Sequence, residues 1–310
     1  MTDSPVSVLG GGSIGVSFAI LFATKGFDVK VYDPIDEALT RATDDLALRL
    51  HQLHAHGGLA EDVAAVTARI RFTTELASAL WHTRFVQECA PERVDLKQAL
   101  LSRAAELTES DVPLSSSSSA IVPSELARGL APESAARILV GHPGNPPYLL
   151  PIVEVVPAPS TSPAIVTQTV DMYRSAGMRP VLVRREVEGF VFNRLQGALL
   201  REAYCLVRDG VATVDDVDEV VRSGLGLRWS VIGPFETSDL NTRGGIASHA
   251  VNLGPAYERM GAERGQRDPW TAELVSEVTA QRRALLDLAD WDERVRWRDR
   301  KLIELRGVVG

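Results

Sequence analysis

His142 and Glu154 stand at opposite ends of the segment 141–155, GHPGNPPYLLPIVEV, one before and one after a proline-punctuated connection between two apolar runs. Proline fixes φ and blocks a helix, so Asn145-Pro146-Pro147 and Leu150-Pro151 read as a turn that folds the chain back after a short buried strand, Arg137-Ile138-Leu139-Val140. Such a fold-back brings Glu154 within reach of His142. A neutral histidine can accept a proton from an alcohol near pH 7, and a carboxylate on its other nitrogen fixes the tautomer and stabilises the imidazolium that forms. Taken alone, the two residues would also serve as a turn histidine and a strand-edge glutamate. The elements around them decide between the readings.

The first of those elements is an anion cradle. Val6-Ser7-Val8-Leu9 is an apolar strand that runs into Gly10-Gly11-Gly12-Ser13-Ile14-Gly15, and Val16 to Lys25 follows with the apolar spacing of a helix. In this strand–turn–helix context Gly10 permits the tight turn, Gly12 lets a pyrophosphate approach the backbone, and Gly15 lets helix pack on strand. The helix start at Ser13 and Ile14 supplies N–H groups and positive dipole. Gly26 ends the helix, Phe27 to Tyr32 is the next strand, and Asp33 stands at its end. A carboxylate there accepts the ribose hydroxyls of NAD and repels the 2′-phosphate of NADP, and neither Pro34 nor Ile35 offers a cation to reverse that choice. The expected cofactor is NAD.

Strand and helix patterns continue to alternate. Ile35 to His56 is a long helix, Arg69 to Phe72 and Arg84 to Glu88 are strands, and Pro91 opens a helix carried by Asp95 to Leu107, with Glu92 and Lys97 as helix-start and surface charges. Val112-Pro113-Leu114 is a strand running into Ser115-Ser116-Ser117-Ser118-Ser119. At the carboxyl end of a strand in a doubly wound sheet, such hydroxyls line the ligand crevice. A helix from Ser162-Pro163 to Ala176 and a strand from Arg179 to Val183 complete this half. From Gly189 the texture changes: Phe190, Val191, Leu195, Leu199 and Leu206 repeat at helical spacing, Thr213-Val214-Asp215-Asp216 resembles a capping box, and Gly224 to Trp229 reads as a loop offering Arg228. Asn193 falls in the first turn of the long helix. The expected architecture is α/β: a doubly wound, mostly parallel sheet over residues 1–188, then a smaller all-α domain over 189–310.

The 310 residues suffice for two domains, and 45% hydrophobic content fits a globular chain. A formal charge of -8 leaves no footprint for nucleic acid, and the Arg-dense stretch from Arg294 to Lys301 reads as the solvated face of a terminal helix. Cys89 and Cys205 form neither a CxxC pair nor a disulfide framework, and no close ligand completes a metal site with His51, His54 and His56. With no basic leader and no apolar run of membrane-spanning length, the expected compartment is the cytoplasm.

Taken together, the motifs resemble the 3-hydroxyacyl-CoA dehydrogenases, and more closely the branch containing lambda-crystallin and L-gulonate 3-dehydrogenase. GGGSIG with Asp33 resembles the family's NAD loop, SSSSSAIVPSEL its serine turn, GHPGNPPYLLPIVEVV its catalytic segment, GFVFNRL the start of its second domain, and GLGLRWSVIGPFETSDLN that branch in particular. The resemblance implies a Rossmann-type domain, a homodimer through the helical domain, and roles for particular residues. Ser119 would bind the substrate hydroxyl or carbonyl, His142 would be the general acid/base and Glu154 its orienter. Asn193 would hold substrate or histidine, Glu92 and Lys97 would lie beside the nicotinamide ribose, and Arg228 would meet a substrate carboxylate. The sequence departs from the acyl-CoA members in having Ser117 where they usually carry Asn, and in having Arg49 as the only Arg or Lys between Thr43 and Ala68, where those members help hold the CoA phosphates. The expected substrate is therefore a small free L-3-hydroxy acid. A 3-hydroxyacyl-CoA and a catalytically silent, crystallin-like structural role stand as the alternatives.

Overall fold

A computed structural model describes residues 4–230, 233–240 and 245–265, and beyond these Glu273, Ala280, Ala284, Asp287–Asp290, Glu293, Arg296, Trp297, Arg300, Ile303 and Glu304. The Arg-dense stretch from Arg294 to Lys301 falls largely outside the described residues. The chain divides into two compact units: Met1–Arg194 with Asp299–Glu304, and Leu195–Arg298 with Leu305–Gly310.

The first unit is built on one eight-stranded sheet. In chain order it contains β1 (Val6–Leu9), α1 (Ser13–Ala23), β2 (Val29–Tyr32), α2 (Asp36–Ala55), α3 (Val63–Thr67), β3 (Ile70–Thr73), α4 (Leu76–Leu80) and β4 (Phe85–Glu88). It continues with α5 (Val94–Leu107), β5 (Leu114–Ser116), α6 (Pro123–Leu126), α7 (Pro132–Ala135), β6 (Ile138–Pro143), β7 (Ile152–Pro157), α8 (Pro163–Ser175) and β8 (Arg179–Leu182). The strand order is β3-β2-β1-β4-β5-β6-β7-β8, parallel throughout except for the antiparallel pair β6–β7. The chain first winds outward from β1 to β3 and then resumes at β4 on the other side of β1. This places a topological switch between the carboxyl ends of β1 and β4, where doubly wound sheets bind ligands.

Both faces of the sheet are covered, which is why its strands read as nearly continuous apolar runs. On one face α1, whose residues 15–23 are all buried, packs with Leu46, Leu50 and Leu53 of α2 and Ile165, Met172 and Tyr173 of α8. On the other, Leu101 and Ala104 of α5 and Leu126 of α6 lie with Val86, Leu114, Ile138 and Val140. Serine and glutamine interrupt the strands in pairs. Ser115 and Gln87 point to the first face, where the Tyr173 hydroxyl donates to Gln87 Oε1 at 2.6 Å and shares a 2.8 Å bond with Ser115 Oγ.

Two boundaries differ from the sequence reading. β6 runs on through Pro143, so His142 is a strand residue rather than part of the connection; Pro143 lies past Val140, where pairing with β5 ends, so on that side it sits at a local edge that the ring tolerates. β5 is shifted to Leu114–Ser116, so Ser115 and Ser116 belong to the sheet. The Asn145-Pro146 bond is cis.

The second unit is helical. α9 (Phe192–Arg208) begins in the first unit and continues into the second, followed by α10 (Val214–Glu219), a π-helical stretch (Val220–Leu225), α11 (Gly226–Trp229), α12 (Pro234–Leu240) and α13 (Gly245–Arg264). Thr213 and Asp216 form the reciprocal capping box that opens α10. The segment 224–229 read as a loop is therefore helical; the wider π turn accommodates Gly224 without breaking the helix.

Gly141, directly before His142, tests how tightly the sheet is keyed to α8. A Cβ there would collide with the Tyr173 and Ser115 hydroxyls and lie 2.7 Å from Tyr173 Cζ. Gly141→Ala is expected to destabilise the protein by about 1–3 kcal/mol in chemical denaturation, the range for overpacking, and by less in a Tyr173→Phe background.

Candidate active site

His142 is on β6 and Glu154 on β7, and the antiparallel register pairs them directly. Partners in register point to the same face, so the side chains meet: His142 Nδ1 lies 2.8 Å from Glu154 Oε2, with both residues buried. The other carboxylate oxygen, Oε1, accepts the backbone N–H groups of Val191 at 2.7 Å and Phe192 at 2.9 Å, at the start of α9. Glu154 thus satisfies two backbone N–H groups at the start of α9. A carboxylate accepting three donors is an acceptor on every side, so Nδ1 carries the proton of the shared bond and Nε2 is left with its lone pair. Nε2 makes no hydrogen bond among the described residues. The rings of Phe190 and Phe192 flank the imidazole, with centroids 5.6 and 6.1 Å away.

The approach to α9 explains why the segment reads GFVFN. Gly189 and Phe190 both have positive φ, 75° and 50°, and this bend turns the next two N–H groups toward Glu154. For a buried phenylalanine that conformation costs on the order of 1–3 kcal/mol. The sequence singled out this stretch through its periodicity and its family resemblance, neither of which shows the bend.

Ser119 and Asn193 meet as well, though by an unexpected route. The Asn193 amide donates to the backbone oxygen of Ser119 at 2.9 Å, while the exposed Ser119 hydroxyl makes no hydrogen bond among the described residues. Of the five serines, Ser115 is bonded to Tyr173, Ser116 donates to Glu88, and Ser118 donates to Glu92 at 2.6 Å. The expectation that the whole run lines the crevice is corrected: three of the hydroxyls hold the sheet and turn together.

Lys97, whose plain reading was surface charge and whose family resemblance would put it beside the nicotinamide ribose, is 1% exposed. Its ammonium donates to both oxygens of buried Glu88 and to Ala90 O, each at 3.0 Å, and lies 3.5 Å from Glu92. Glu92 Oε1 in turn accepts the N–H groups of Ser119 at 2.9 Å and Ala120 at 3.1 Å. Burial raises the Glu92 carboxyl, but the Ser118 hydroxyl, the Lys97 charge and these amides outweigh it and hold it below the ordinary carboxylate range. Burial raises Glu88, the hub that sequence reading missed because it looked like the last residue of an ordinary strand. Desolvation, with the Glu88 charge adding to it, pushes the adjacent Cys89 thiol up to about 12, which leaves it un-ionised at neutral pH.

At the switch between β1 and β4 lies a cleft of about 500 Å³ lined by the glycine turn, Asp33, Cys89 and Pro91. Gly10 has φ 122°, and a side chain there would meet Cys89 O at 2.7 Å; a Cβ on Gly15 would collide with Gly10 O. On Gly12, by contrast, a Cβ would meet nothing within 4 Å, so the backbone there is open to a close ligand. α1 starts at Ser13 and Ile14 without a side-chain cap. Asp33 accepts Gly11 N at 2.9 Å and Ile35 N at 3.1 Å, which anchors its carboxylate in the cleft. These features fit a dinucleotide: donors and bare backbone for the pyrophosphate, an acceptor for ribose hydroxyls. Arg228 lies on α11 in the second unit, exposed and without a hydrogen bond or ion pair among the described residues. Among the described residues no cluster of His, Cys, Asp and Glu is placed to hold a metal, and no helix is long and apolar enough to cross a membrane.

The fold and cleft define a dinucleotide-binding α/β protein, and comparison with known proteins narrows the class. The family model for the 3-hydroxyacyl-CoA dehydrogenase NAD binding domain matches residues 5–187, and that for the C-terminal domain matches residues 189–289. The chain is 42% identical to lambda-crystallin of Oryctolagus cuniculus, covering 77% of this chain and 75% of that protein. It is 37% identical to L-carnitine dehydrogenase of Pseudomonas aeruginosa, covering 98% and 93%. A solved structure of 5-formyl-3-hydroxy-2-methylpyridine 4-carboxylic acid 5-dehydrogenase, an NAD+-dependent dismutase, superposes with a TM-score of 0.81 at 28% identity, covering 98% of each chain. The chain belongs to the 3-hydroxyacyl-CoA dehydrogenase family, and is an NAD-dependent oxidoreductase acting on a CH–OH group.

The buried pair makes a direct prediction. Lys97→Met leaves Glu88 without its counter-charge and should cost about 3–5 kcal/mol in denaturant unfolding, whereas removing the exposed Arg93–Asp95 pair should leave the unfolding midpoint close to wild type.

Proposed function

We propose that this enzyme oxidises the C3 hydroxyl of a small free L-3-hydroxy acid, as an L-gulonate 3-dehydrogenase does, with His142 as general base and Glu154 as its positioning residue. The observation that carries the reading is the 2.8 Å bond between His142 Nδ1 and a Glu154 carboxylate that is itself tied to the first N–H groups of α9. That bond leaves Nε2 as the basic nitrogen. Bound NAD supplies the acceptor for the hydride. The C3–H bond breaks with its electron pair, the hydroxyl proton passes to Nε2, and the carbon–oxygen double bond forms. The Glu154 charge stabilises the resulting imidazolium, in a setting where burial strengthens the attraction. The free Ser119 hydroxyl holds the substrate oxygen. Asn193 keeps Ser119 in place through its carbonyl and presents the rest of its amide to the substrate, while Glu92 and Lys97 fix the wall beside the nicotinamide ribose.

Arg49 favours a free acid over a CoA thioester. It is the only Arg or Lys in the stretch expected to hold CoA phosphates, and its guanidinium is turned away to Asp45, Ser13 and Ser17, with contacts of 2.6 to 3.2 Å. A phosphate-rich tail needs more cation than that. The relative named for L-carnitine and the structure named for a pyridine carboxylic acid both carry, in their names, acids without CoA. We further assign residues 1–188 to NAD binding and 189–310 to substrate binding and homodimer formation. Exposed Leu195, Leu199, Trp229, Phe235, Val251 and Tyr257 give the helical unit apolar surface for a second copy. Two free cysteines fit the reducing cytoplasm.

Arg228 is assigned to the substrate carboxylate, which separates the substrate classes. With steady-state NADH formation as readout across a panel of free hydroxy acids and 3-hydroxyacyl-CoAs, the wild type should favour a free acid. Arg228→Met should lower kcat/KM for that acid by about 1.5–3 kcal/mol, the range for hydrogen bonds to charged groups, with little effect on a CoA thioester. A wild type that prefers acyl-CoA would establish the thioester reading, and a folded, NAD-binding protein that turns over neither class would establish the silent, crystallin-like one.

A further inference from the structure

The cofactor cleft contains a cation that the dinucleotide pattern does not require. α2 turns Ala38, Arg41, Ala42 and Asp45 toward the cleft, the spacing of a single helix face, and Asp33 lines the same cleft. Asp45, four residues after Arg41, is the expected ion-pair partner on that face. Arg49 has taken it instead, with Nε 2.8 Å from Oδ1 and a terminal nitrogen 2.7 Å from Oδ2. Arg41 is exposed and makes no hydrogen bond or ion pair among the described residues. The one carboxylate at the glycine turn, Asp33, is occupied by the N–H groups of Gly11 and Ile35 rather than by a guanidinium.

We propose that Arg41 is a cofactor-binding residue on the adenosine side of the cleft and a latent ligand for a 2′-phosphate, held out of use by the charge of Asp33 alone. A guanidinium with no protein partner, lining a cleft that takes a dianionic pyrophosphate, gains from contact with the nucleotide. Its planar face can lie on the adenine ring and its fork can grip a phosphate in two places. Asp33 and Arg41 act oppositely on a 2′-phosphate, one by repulsion and the other by attraction. Preference for NAD is therefore a balance between two charges in one cleft. It does not come from a lack of cation: helix geometry, and not adjacency to Asp33 in the sequence, brings Arg41 to the cleft.

Dissociation constants for NAD and NADP, measured by calorimetry on wild type, Asp33→Asn, Arg41→Ala and the double variant, test the proposal without reference to turnover. Asn removes the charge and keeps an acceptor for the Gly11 N–H, giving up only the bond from the exposed Ile35 N–H. Asp33→Asn is expected to tighten NADP binding by about 30-fold or more, and adding Arg41→Ala should take back about tenfold of that gain while changing NAD affinity by no more than about threefold. The gain in NADP affinity should also fall more steeply with added salt than NAD binding does. A double variant that binds NADP as tightly as Asp33→Asn would overturn the assignment, as would an Asp33→Asn protein with no gain. If Asp33→Asn fails to fold, Asp33→Ser takes its place: a gain in NADP affinity that Arg41→Ala takes back supports the proposal, and a gain that survives Arg41→Ala, or no gain, contradicts it.

Discussion

One carboxylate joins the two elements on which the candidate site depends. Glu154 spends one oxygen on the imidazole of His142 and the other on two backbone N–H groups at the start of α9. It can do so because β7 is the one strand that runs against its neighbour β6, so that a residue near the beginning of one strand stands opposite a residue near the end of the other. In an all-parallel sheet the strand after β6 would present its opposite end to the crevice. The antiparallel hairpin therefore places a carboxylate beside a strand-end histidine without any long connection. Gly141, which leaves room for Tyr173, and Phe190, which bends the chain with positive φ, are the local costs of holding that arrangement.

A second network reaches the same place from the other side. Glu88 at the end of β4 holds Lys97, Lys97 approaches Glu92, and Glu92 gathers the Ser118 hydroxyl and the N–H groups of Ser119 and Ala120. Asn193 then ties Ser119 to the first turn of α9, the turn that Glu154 caps. The two carboxylate networks are thus linked through three residues of one helix start. A displacement of α9 would be felt at both His142 and Ser119, which gives this short stretch more influence over the site than its polar residue count suggests.

Much of this was legible before any coordinates. The glycine turn, Asp33 and the strand–helix alternation carry their own physical reasons, and the proline-punctuated return between His142 and Glu154 implied their meeting. What could not be read were the partners of residues whose surroundings come from distant strands. Lys97 looked like surface charge because its counter-ion, Glu88, sits in what reads as an apolar strand end. The serine run looked uniformly available, whereas strand alternation sends Ser115 to Tyr173 and Ser116 to Glu88 on opposite faces. Gly224 to Gly226 looked like a loop because glycine counts against a helix, and a π turn absorbed it.

The most direct test of the Glu154–His142 account is the single-turnover rate of NADH formation at neutral pH in Glu154→Gln. The amide oxygen can still accept from Val191 and Phe192, so fold and NAD affinity should be kept. The amide nitrogen would face Nδ1 as a donor and force the imidazole into the tautomer that lacks a basic Nε2. The account predicts a rate lower by about 10²–10⁴, the scale seen when a histidine base loses its orienting carboxylate, with an unchanged dissociation constant for NAD. A folded Glu154→Gln protein that transfers hydride at the wild-type rate would contradict it.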